Sequence, residues 1–174
     1  MTLKTAVDRA ALRIVGNVPT AVFGSTDQLS LEMADLASEV AIEIAESAEW
    51  RTLTKIAQMQ GAMSFPKPAD YDRMLVGQGI QDKTTWFWGY YPFSSVSEYL
   101  MAVNGNLPLI SPGGWILLEN EFKFYPLPVG TATFPYISNH IVRSDNGTTK
   151  REFTADNDTF ILSERLLTLG LVWR

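Results

Sequence analysis

The sequence predicts an α+β fold: a helical bundle of two N-terminal helices plus a C-terminal helix, with an inserted antiparallel β region. Three observations lead to this prediction. Apolar residues recur at helical spacing in the first third of the chain, Pro and Gly mix with aromatic and β-branched residues in the middle, and an apolar helical segment follows at the end. We divide the 174 residues into a helical pair at 1–61, a β-rich insertion at 62–155 and a C-terminal helix at 156–174, together one structural unit.

The first helix is predicted over residues 3–15. Thr2 precedes it as a candidate N-cap, and Gly16 follows it as a C-terminal stop. Between them, apolar residues are spaced as one face of a helix requires, namely Leu3, Val7, Ala10, Ala11 and Ile14. We therefore expect a short amphipathic helix.

A longer helix is predicted from Asp27 to Gln60, with Ser25 and Gln28 as its capping box. Its apolar face consists of Met33, Leu36, Val40 and Ile44, and a parallel acidic line on another face consists of Glu32, Asp35, Glu39, Glu43 and Glu46. Frequent alanines permit close approach of a neighbouring helix, within the subunit or between subunits. Because a solvated or inter-subunit face explains this line better than catalysis does, we take Glu39, Glu43 and Glu46 as candidate interface residues.

The β region is predicted to contain one short helix at 95–104, capped by Ser95 and Glu98. The glycines of the GQG stretch at 77–79 indicate a bulge or bend rather than a dinucleotide loop.

Two hairpins are predicted in the second half of the β region. The first follows a tight turn at Gly113 and Gly114 and turns at Asn120. The second contains the Asn146-Gly147 dipeptide, which is typical of a two-residue turn with positive φ at both positions.

The C-terminal helix is predicted to begin at Asp156, Asn157 or Asp158, each a possible N-cap. Its apolar residues cover most of the helix circumference, namely Ile161, Leu162, Leu166, Leu169, Val172 and Trp173. A helix of this kind must be buried, against the bundle or against a neighbouring subunit. We therefore take Leu166, Leu169 and Trp173 as candidate interface residues.

Composition excludes several classes of function. The net charge of −5 and the lack of a basic run argue against nucleic-acid binding, and the lack of cysteine excludes disulfides and thiolate sites. The charged N-terminal segment is unlike a signal peptide, and no apolar run is long enough for a membrane span, so we expect synthesis in the cytoplasm and no membrane partner.

No catalytic, cofactor-binding or metal-binding residue is expected. His140 is the only histidine and has no nucleophile motif near it. The DNDTF stretch at 156–160 begins like a calcium loop, but Ile161 and Leu167 stand where that loop needs Gly and Glu.

An aromatic cluster lies in the middle of the chain, and its candidate interface residues are Trp86, Trp88 and Tyr90. Such rings also stack on sugars, so a carbohydrate-binding β module is the alternative function. It would leave the helices, more than a third of the chain, unexplained. Core packing or a protein interface is favoured because no basic residues adjoin the rings that would suit a nucleic acid.

The C-terminal segment FTADNDTFILSERLLTLGLVWR resembles the closing signature of the tailed-bacteriophage head-to-tail adaptor (connector) family. In that signature F-x-x-D-x-D-T precedes an acidic residue, two leucines, T-L-G and a W-[RK] pair. The matching residues are Phe153, Asp156, Asp158, Thr159, Glu164, Leu166, Leu167, Thr168, Leu169, Gly170, Trp173 and Arg174. Similar stretches occur in the same order along the rest of the chain, namely AALRIVGN, GSTD, AEWRTL, PADYDR, VSEYL and VRSDNGTTKREFT.

This resemblance implies a structural role in the virion and no enzymatic reaction. It implies a homo-oligomeric ring, usually twelve-fold, in the neck of the particle. The portal protein of the capsid would lie above the ring, a tail or nozzle protein below it, and DNA would pass through its lumen during ejection. The long acidic helix and the aromatic β part are the candidate faces of the ring contact. Family members continue after the W-R pair with a basic tail, so their C-terminal contacts are not carried over to this sequence.

Overall fold

The computed structural model describes residues 2–60, 62, 64–75, 80–82, 86–105, 113–127 and 130–174, and only the backbone of residues 81, 82 and 86–88. These residues form a mixed α+β fold with four α-helices and mainly antiparallel strands. The chain divides into two compact units. The helical unit comprises Met1–Thr54 and Ser138–Arg174, and the β unit comprises Lys55–Ile137. The prediction placed residues 55–61 in the helical pair and residues 138–155 in the β-rich insertion. The structure instead places 55–61 in the β unit and 138–155 in the helical unit.

The helices are α1 (Leu3–Ile14), α2 (Gln28–Glu46), a 3₁₀ turn (Arg51–Leu53), α3 (Val96–Asn104) and α4 (Glu164–Trp173). The strands are β1 (Thr54–Gln60), β2 (Ser64–Pro66), β3 (Tyr71–Met74), β4 (Ile80–Asp82), β5 (Trp86–Pro92), β6 (Gly113–Leu118), β7 (Glu121–Tyr125), β8 (Thr131–Ser138), β9 (Val142–Arg143), β10 (Thr149–Lys150) and β11 (Thr159–Phe160). Among the described residues, no helix has both the length and the apolar character needed to cross a bilayer.

Helix α1 confirms the first helix prediction. The Thr2 side chain accepts a hydrogen bond from the Thr5 amide, and the Thr5 hydroxyl accepts one from the Thr2 amide at 3.2 Å. Gly16 has a φ of +73° and ends the helix, as a residue without a Cβ can do at little cost. Ile14 was predicted on the apolar face but is exposed in the last turn.

Helix α2 is shorter than predicted. It begins after Asp27, whose carboxylate accepts from the Ser30 amide, so the predicted capping box of Ser25 and Gln28 is wrong. At the other end, the Ser47 hydroxyl and the Trp50 indole N–H both donate to the carbonyl oxygen of Ile44, at 2.7 and 2.8 Å. These bonds satisfy a carbonyl that the ended helix leaves without a partner, and the chain continues as a 3₁₀ turn and β1 instead of a helix to Gln60.

The β unit contains an eight-stranded sheet in the order β1-β8-β4-β5-β6-β7-β2, with β3 paired to β8. The prediction of a wholly antiparallel region is wrong at one pair, because β5 and β6 run parallel. Parallel neighbours need a crossover connection, and α3 lies in the chain between them. The predicted short helix is confirmed, with the Ser95 hydroxyl accepting from the Glu98 amide at 3.1 Å.

The first predicted hairpin is confirmed as β6 and β7, joined by Glu119 and Asn120, which both have positive φ. Gly113 and Gly114 do not form the predicted turn but belong to β6. A Cβ atom at Gly114 would overlap the Phe93 ring, so the residue is small because a ring packs on the strand.

The second predicted hairpin is confirmed as the antiparallel pair β9 and β10, and β9 also pairs with β11. Gly147 has a φ of +86°, but Asn146 is not in the positive-φ region, so the predicted two-residue turn is wrong. Residues 144–148 instead form a longer loop, in which the Ser144 hydroxyl donates to the carbonyl of Thr148 at 2.9 Å. The predicted bend at Gly77 and Gly79 lies outside the described residues.

The C-terminal helix also differs from the prediction. Residues 156–158 form a turn, Thr159 and Phe160 form β11, and α4 begins only after Ser163. Helix α4 packs against both α1 and α2. Only one side of it is buried, through Leu167, Thr168 and Leu171, so the expectation of burial all round is wrong for the isolated subunit.

Candidate interaction surface

The outer face of α4 carries large apolar side chains in contact with solvent. Leu166 is 37% exposed, Leu169 is 46% exposed and Trp173 is 89% exposed. At about 100° per residue, these three positions lie within about 60° of one another around the helix, opposite the buried leucines. We call them the α4 stripe. Contiguous exposed apolar surface of this kind marks an interaction site in soluble proteins.

The inner face of α4 is held close to α2. A Cβ atom at Gly170 would overlap the Val40 side chain, so the glycine of the T-L-G motif allows close approach of the two helices. Leu167 and Leu171 are fully buried next to it. This packing fixes the direction in which the α4 stripe points.

The turn before α4 binds two other parts of the helical unit. The Asp156 carboxylate accepts hydrogen bonds from the amides of Val22 and Phe23, the latter at 2.7 Å. The carbonyl oxygens of Asp156 and Asp158 accept from the amides of Lys4 and Leu3, at 3.1 and 2.6 Å. Helix N-terminal amides have no partner within the helix, so these bonds satisfy the first turn of α1. The predicted N-cap residues of α4 thus anchor α1 and the loop after it.

Asp158 is a buried carboxylate with a complete set of partners. Its Oδ2 atom accepts from the amides of Thr154 and Ala155, at 2.7 and 2.9 Å, and lies 2.6 Å from Nζ of Lys150. Burial acts to raise the pKa of the Asp158 carboxyl, but the bonds from Lys150 and the two amides outweigh it, so the pKa is lowered. The D-x-D part of the motif is therefore explained by internal structure.

The outward face of α2 carries the acidic line that the sequence predicts. Glu39, Glu43 and Glu46 are all exposed. Glu43 forms an ion pair with Arg174, just after α4, and Glu39 lies near the same guanidinium. This pair joins the W-R motif to the acidic line of α2.

The aromatic candidates do not form a described surface. Tyr90 is 1% exposed and packs edge to face on Phe124 inside the β unit, so its side chain is part of the core and not of an interface. The side chains of Trp86 and Trp88 lie outside the described residues, and only their backbone in β5 is placed. Alternation of aromatic and polar residues along a strand would have shown which rings point into the core. The consecutive aromatic residues here show no such alternation, so the sequence does not separate core rings from surface rings.

The PADYDR stretch serves the core of the β unit. The Tyr136 hydroxyl donates to Asp70 at 2.8 Å, and Nζ of Lys55 lies 2.5 Å from the other carboxylate oxygen. Burial, followed by this bond to Asp70, raises the pKa of the Tyr136 hydroxyl. Tyr71 packs between the rings of Phe122 and Tyr136.

His140 lies between β8 and β9, and its Nδ1 atom is 3.2 Å from the Thr149 hydroxyl. Among the residues that the structure describes, no group of three or more side chains is arranged to hold a metal ion.

Sequence reasoning missed two exposed apolar regions. One lies at the end of α1 and includes Leu12 and Val15, and the other lies on α3 and includes Leu100 and Met101. Helix α3 has no fully buried residue at all. Both helices have an apolar pattern that predicts burial, and only the tertiary packing shows which side stays open.

No protein-family model matches the chain, and no curated protein matches it.

Proposed function

We propose that this chain is a structural subunit of the neck of a tailed-bacteriophage particle and not an enzyme. In this proposal it forms a ring, usually twelve-fold in the family it resembles, between the portal protein and the tail or nozzle protein. The packaged DNA passes through the lumen of the ring. The observation that carries the proposal is the exposure of the α4 stripe, within the segment that resembles the adaptor family.

The α4 stripe has the composition of a binding hot spot. Tryptophan is enriched among residues that dominate interface energies, and full burial of a large apolar side chain contributes about 1.5–3 kcal/mol. Three such side chains together are worth several kcal/mol before the entropy of association is subtracted. A subunit that remained alone in solution would gain nothing from keeping them exposed.

The architecture in this proposal is a bundle of α1, α2 and α4 that carries the β unit as an insertion. Its support is that α4 packs on both N-terminal helices and that the β unit lies between them in the chain. A bundle built from both chain ends would hold the α4 stripe on a rigid base. Rigid elements are better supports for a binding surface than loops are.

The described motif residues support a structural role rather than a chemical one. Asp156 and Asp158 bind backbone amides and a lysine, Asp70 binds Tyr136 and Lys55, and Gly170 permits helix packing. Each therefore has a partner within the fold that accounts for its residue type. The subunit charge of −5 suits a lumen through which DNA slides, because few counterions would be released on contact.

The proposal is tested by locating the protein in purified particles. We expect gold-labelled antibody, viewed by negative-stain electron microscopy, to mark the vertex between head and tail, and class averages of the neck to show a ring there. Label at the tips of tail fibres would instead support the carbohydrate-binding alternative. The virion role is overturned if permeabilised particles are labelled by an antibody against the portal protein but not by the antibody against this chain.

A further inference from the structure

The last turn of α1 and the loop after it form an exposed apolar patch with one cation in it. The large apolar side chains of this segment are in contact with solvent, and so is the arginine among them. We call these five residues the α1 end: Leu12, Arg13, Ile14, Val15 and Val18. Exposed apolar side chains that are contiguous along the chain in this way mark a site of contact with another molecule.

The α1 end and the α4 stripe lie on opposite sides of the helical unit. The ion pair of Arg9 and Glu164, at 3.1 Å, joins α1 to the first turn of α4. Glu164 lies between about 140° and 180° around the helix from each residue of the α4 stripe. On α1, Leu12 lies opposite the buried side, and α1 packs against α4. Each of the two surfaces therefore points away from the helix that carries the other.

Helix α2 borders the α4 stripe along one side. Gly170 of α4 faces Val40 of α2. Leu166 and Trp173, four residues before Gly170 and three residues after it, are its neighbours on the helix surface. These two residues of the α4 stripe therefore lie beside α2.

The side of α2 next to the α4 stripe is acidic. Glu43, three residues after Val40, forms an ion pair with Arg174, and Glu39 lies near the same guanidinium. Helix α2 itself contains no lysine or arginine. We call Glu39 and Glu43 the acidic edge of the α4 stripe. An apolar patch bordered by carboxylates is complementary to a patch that is apolar and carries a cation.

We propose that the α1 end of a second copy of this chain covers the α4 stripe and its acidic edge. The inference rests on the proposed function and names the contact between neighbouring subunits of the ring. In this contact the apolar side chains of the α1 end cover those of the α4 stripe, and Arg13 lies beside Glu39 and Glu43. Because the contact joins two different surfaces of the same chain, it is heterologous, and its repetition builds a ring where the rotation closes.

Charge distinguishes the α1 end from α3, which also exposes apolar side chains. Helix α3 exposes Leu100 and Met101, but its one charged residue is Glu98. A carboxylate brought to the acidic edge is repelled, whereas Arg13 is attracted to it. Two α4 stripes repel each other for the same reason, because each has an acidic edge. The α1 end is therefore a better match for the α4 stripe than α3 or a second α4 stripe is.

Blocking each surface separately in the full chain tests the contact. Leu12→Glu places a carboxylate in the α1 end, and Leu169→Glu places one in the α4 stripe. Both leucines are exposed, so we expect each variant to stay folded but to self-associate at least about tenfold more weakly than the unaltered chain. Sedimentation velocity over a series of concentrations measures the association, and circular dichroism checks the fold.

A mixture of the two variants shows whether the contact joins different surfaces. The Leu12→Glu chain keeps an intact α4 stripe, and the Leu169→Glu chain keeps an intact α1 end. One contact can therefore form between them, and no further subunit can be added to the pair. We expect the equimolar mixture to give a one-to-one dimer at concentrations at which each variant alone is monomeric.

The control is Met101→Glu, the same kind of change at an exposed apolar residue of α3, and we expect it to assemble as the unaltered chain does. If Leu12→Glu fails to fold, Val15→Glu replaces it. The contact is overturned if either blocked variant assembles normally, if their mixture stays monomeric, or if Met101→Glu weakens assembly as strongly. An unaltered chain that remains monomeric also overturns the contact, but antibody label at the particle neck would then leave the proposed function standing.

Discussion

The helical unit and the β unit use their large apolar side chains in opposite ways. In the β unit, rings pack on one another, and Phe122 contacts Tyr71, Trp115 and Phe134 at centroid distances of 4.9–5.5 Å. In the helical unit, the buried side of α4 is matched by an exposed side of similar apolar character. The described core of the β unit stabilises the subunit, whereas in the proposed function the α4 stripe stabilises contacts with other molecules.

A large loss of subunit stability is expected from truncation of a ring in the β-unit core. Phe122→Ala removes a fully buried ring, so we expect the free energy of unfolding to fall by about 3–5 kcal/mol. Urea unfolding followed by fluorescence measures the change. Tyr91→Ala, in the same sheet but exposed, is the control and should change stability by less than about 0.5 kcal/mol. Equal effects of the two substitutions would contradict the assignment of Phe122 to a closed core.

An intermediate effect is expected at the buried carboxylate of the helical unit. Asp158→Asn removes the charge that pairs with Lys150, and we expect a loss of about 1–3 kcal/mol at pH 7. Because the folded-state pKa of Asp158 is lowered, its stabilising contribution is complete above the ordinary value of 3.8 and is lost as the pH falls from there through the lower folded-state pKa. The stability gap between the variant and the unaltered chain should therefore narrow below pH 3.8. Asp145→Asn, on an exposed loop, is the control, and a gap that does not depend on pH would contradict this role.

These aspartates also show how far the sequence predicts the structure. Helix starts set by local hydrogen bonds were predicted at Thr2 and Ser95, because a cap and its partner amide are three residues apart. Asp156 has the residue type of a cap but binds the amides of Val22 and Phe23, which are more than 130 positions away. Local patterns contain no information about such distant partners, so the predicted start of α4 is wrong.

The errors in the predicted end of α2 and in the predicted candidate surface have the same cause, because both depend on contacts that local patterns do not contain. Trp50 caps α2 with its indole N–H, a side-chain donor that periodicity does not register. The apolar residues of α4 were identified correctly, and which of them are buried depends on the position of α1 and α2. Tyr90 was placed at an interface because consecutive aromatic residues give no inward or outward alternation.

A small effect is expected at the only histidine. The contact that His140 makes through Nδ1 is to the Thr149 hydroxyl, so His140→Gln should cost about 0.5–1.5 kcal/mol of stability. Because the proposed role is structural, infectivity should stay within a few-fold of the unaltered phage in a plaque assay. A severe loss of infectivity with correctly folded protein would indicate a chemical role for this side chain, and Thr149→Val, which removes the same hydrogen bond, separates the two explanations.

The smallest change in subunit stability, and the largest in assembly, is expected at the α4 stripe. Trp173 is exposed in the isolated subunit, so Trp173→Asp should alter the free energy of unfolding by less than about 0.5 kcal/mol.

Leu166→Asp and Leu167→Asp form a matched pair of neighbours, because Leu166 is partly exposed and Leu167 is fully buried. We expect Leu167→Asp to unfold the subunit by burying a charge, and Leu166→Asp to leave it folded but unable to join the ring or the portal. Glu46→Ala, on the outward face of α2, should be tolerated far better than either α4-stripe substitution. Negative-stain microscopy counts tail-bearing particles for each variant, and normal yields with aspartate at both 166 and 173 would show that the α4 stripe has no part in assembly.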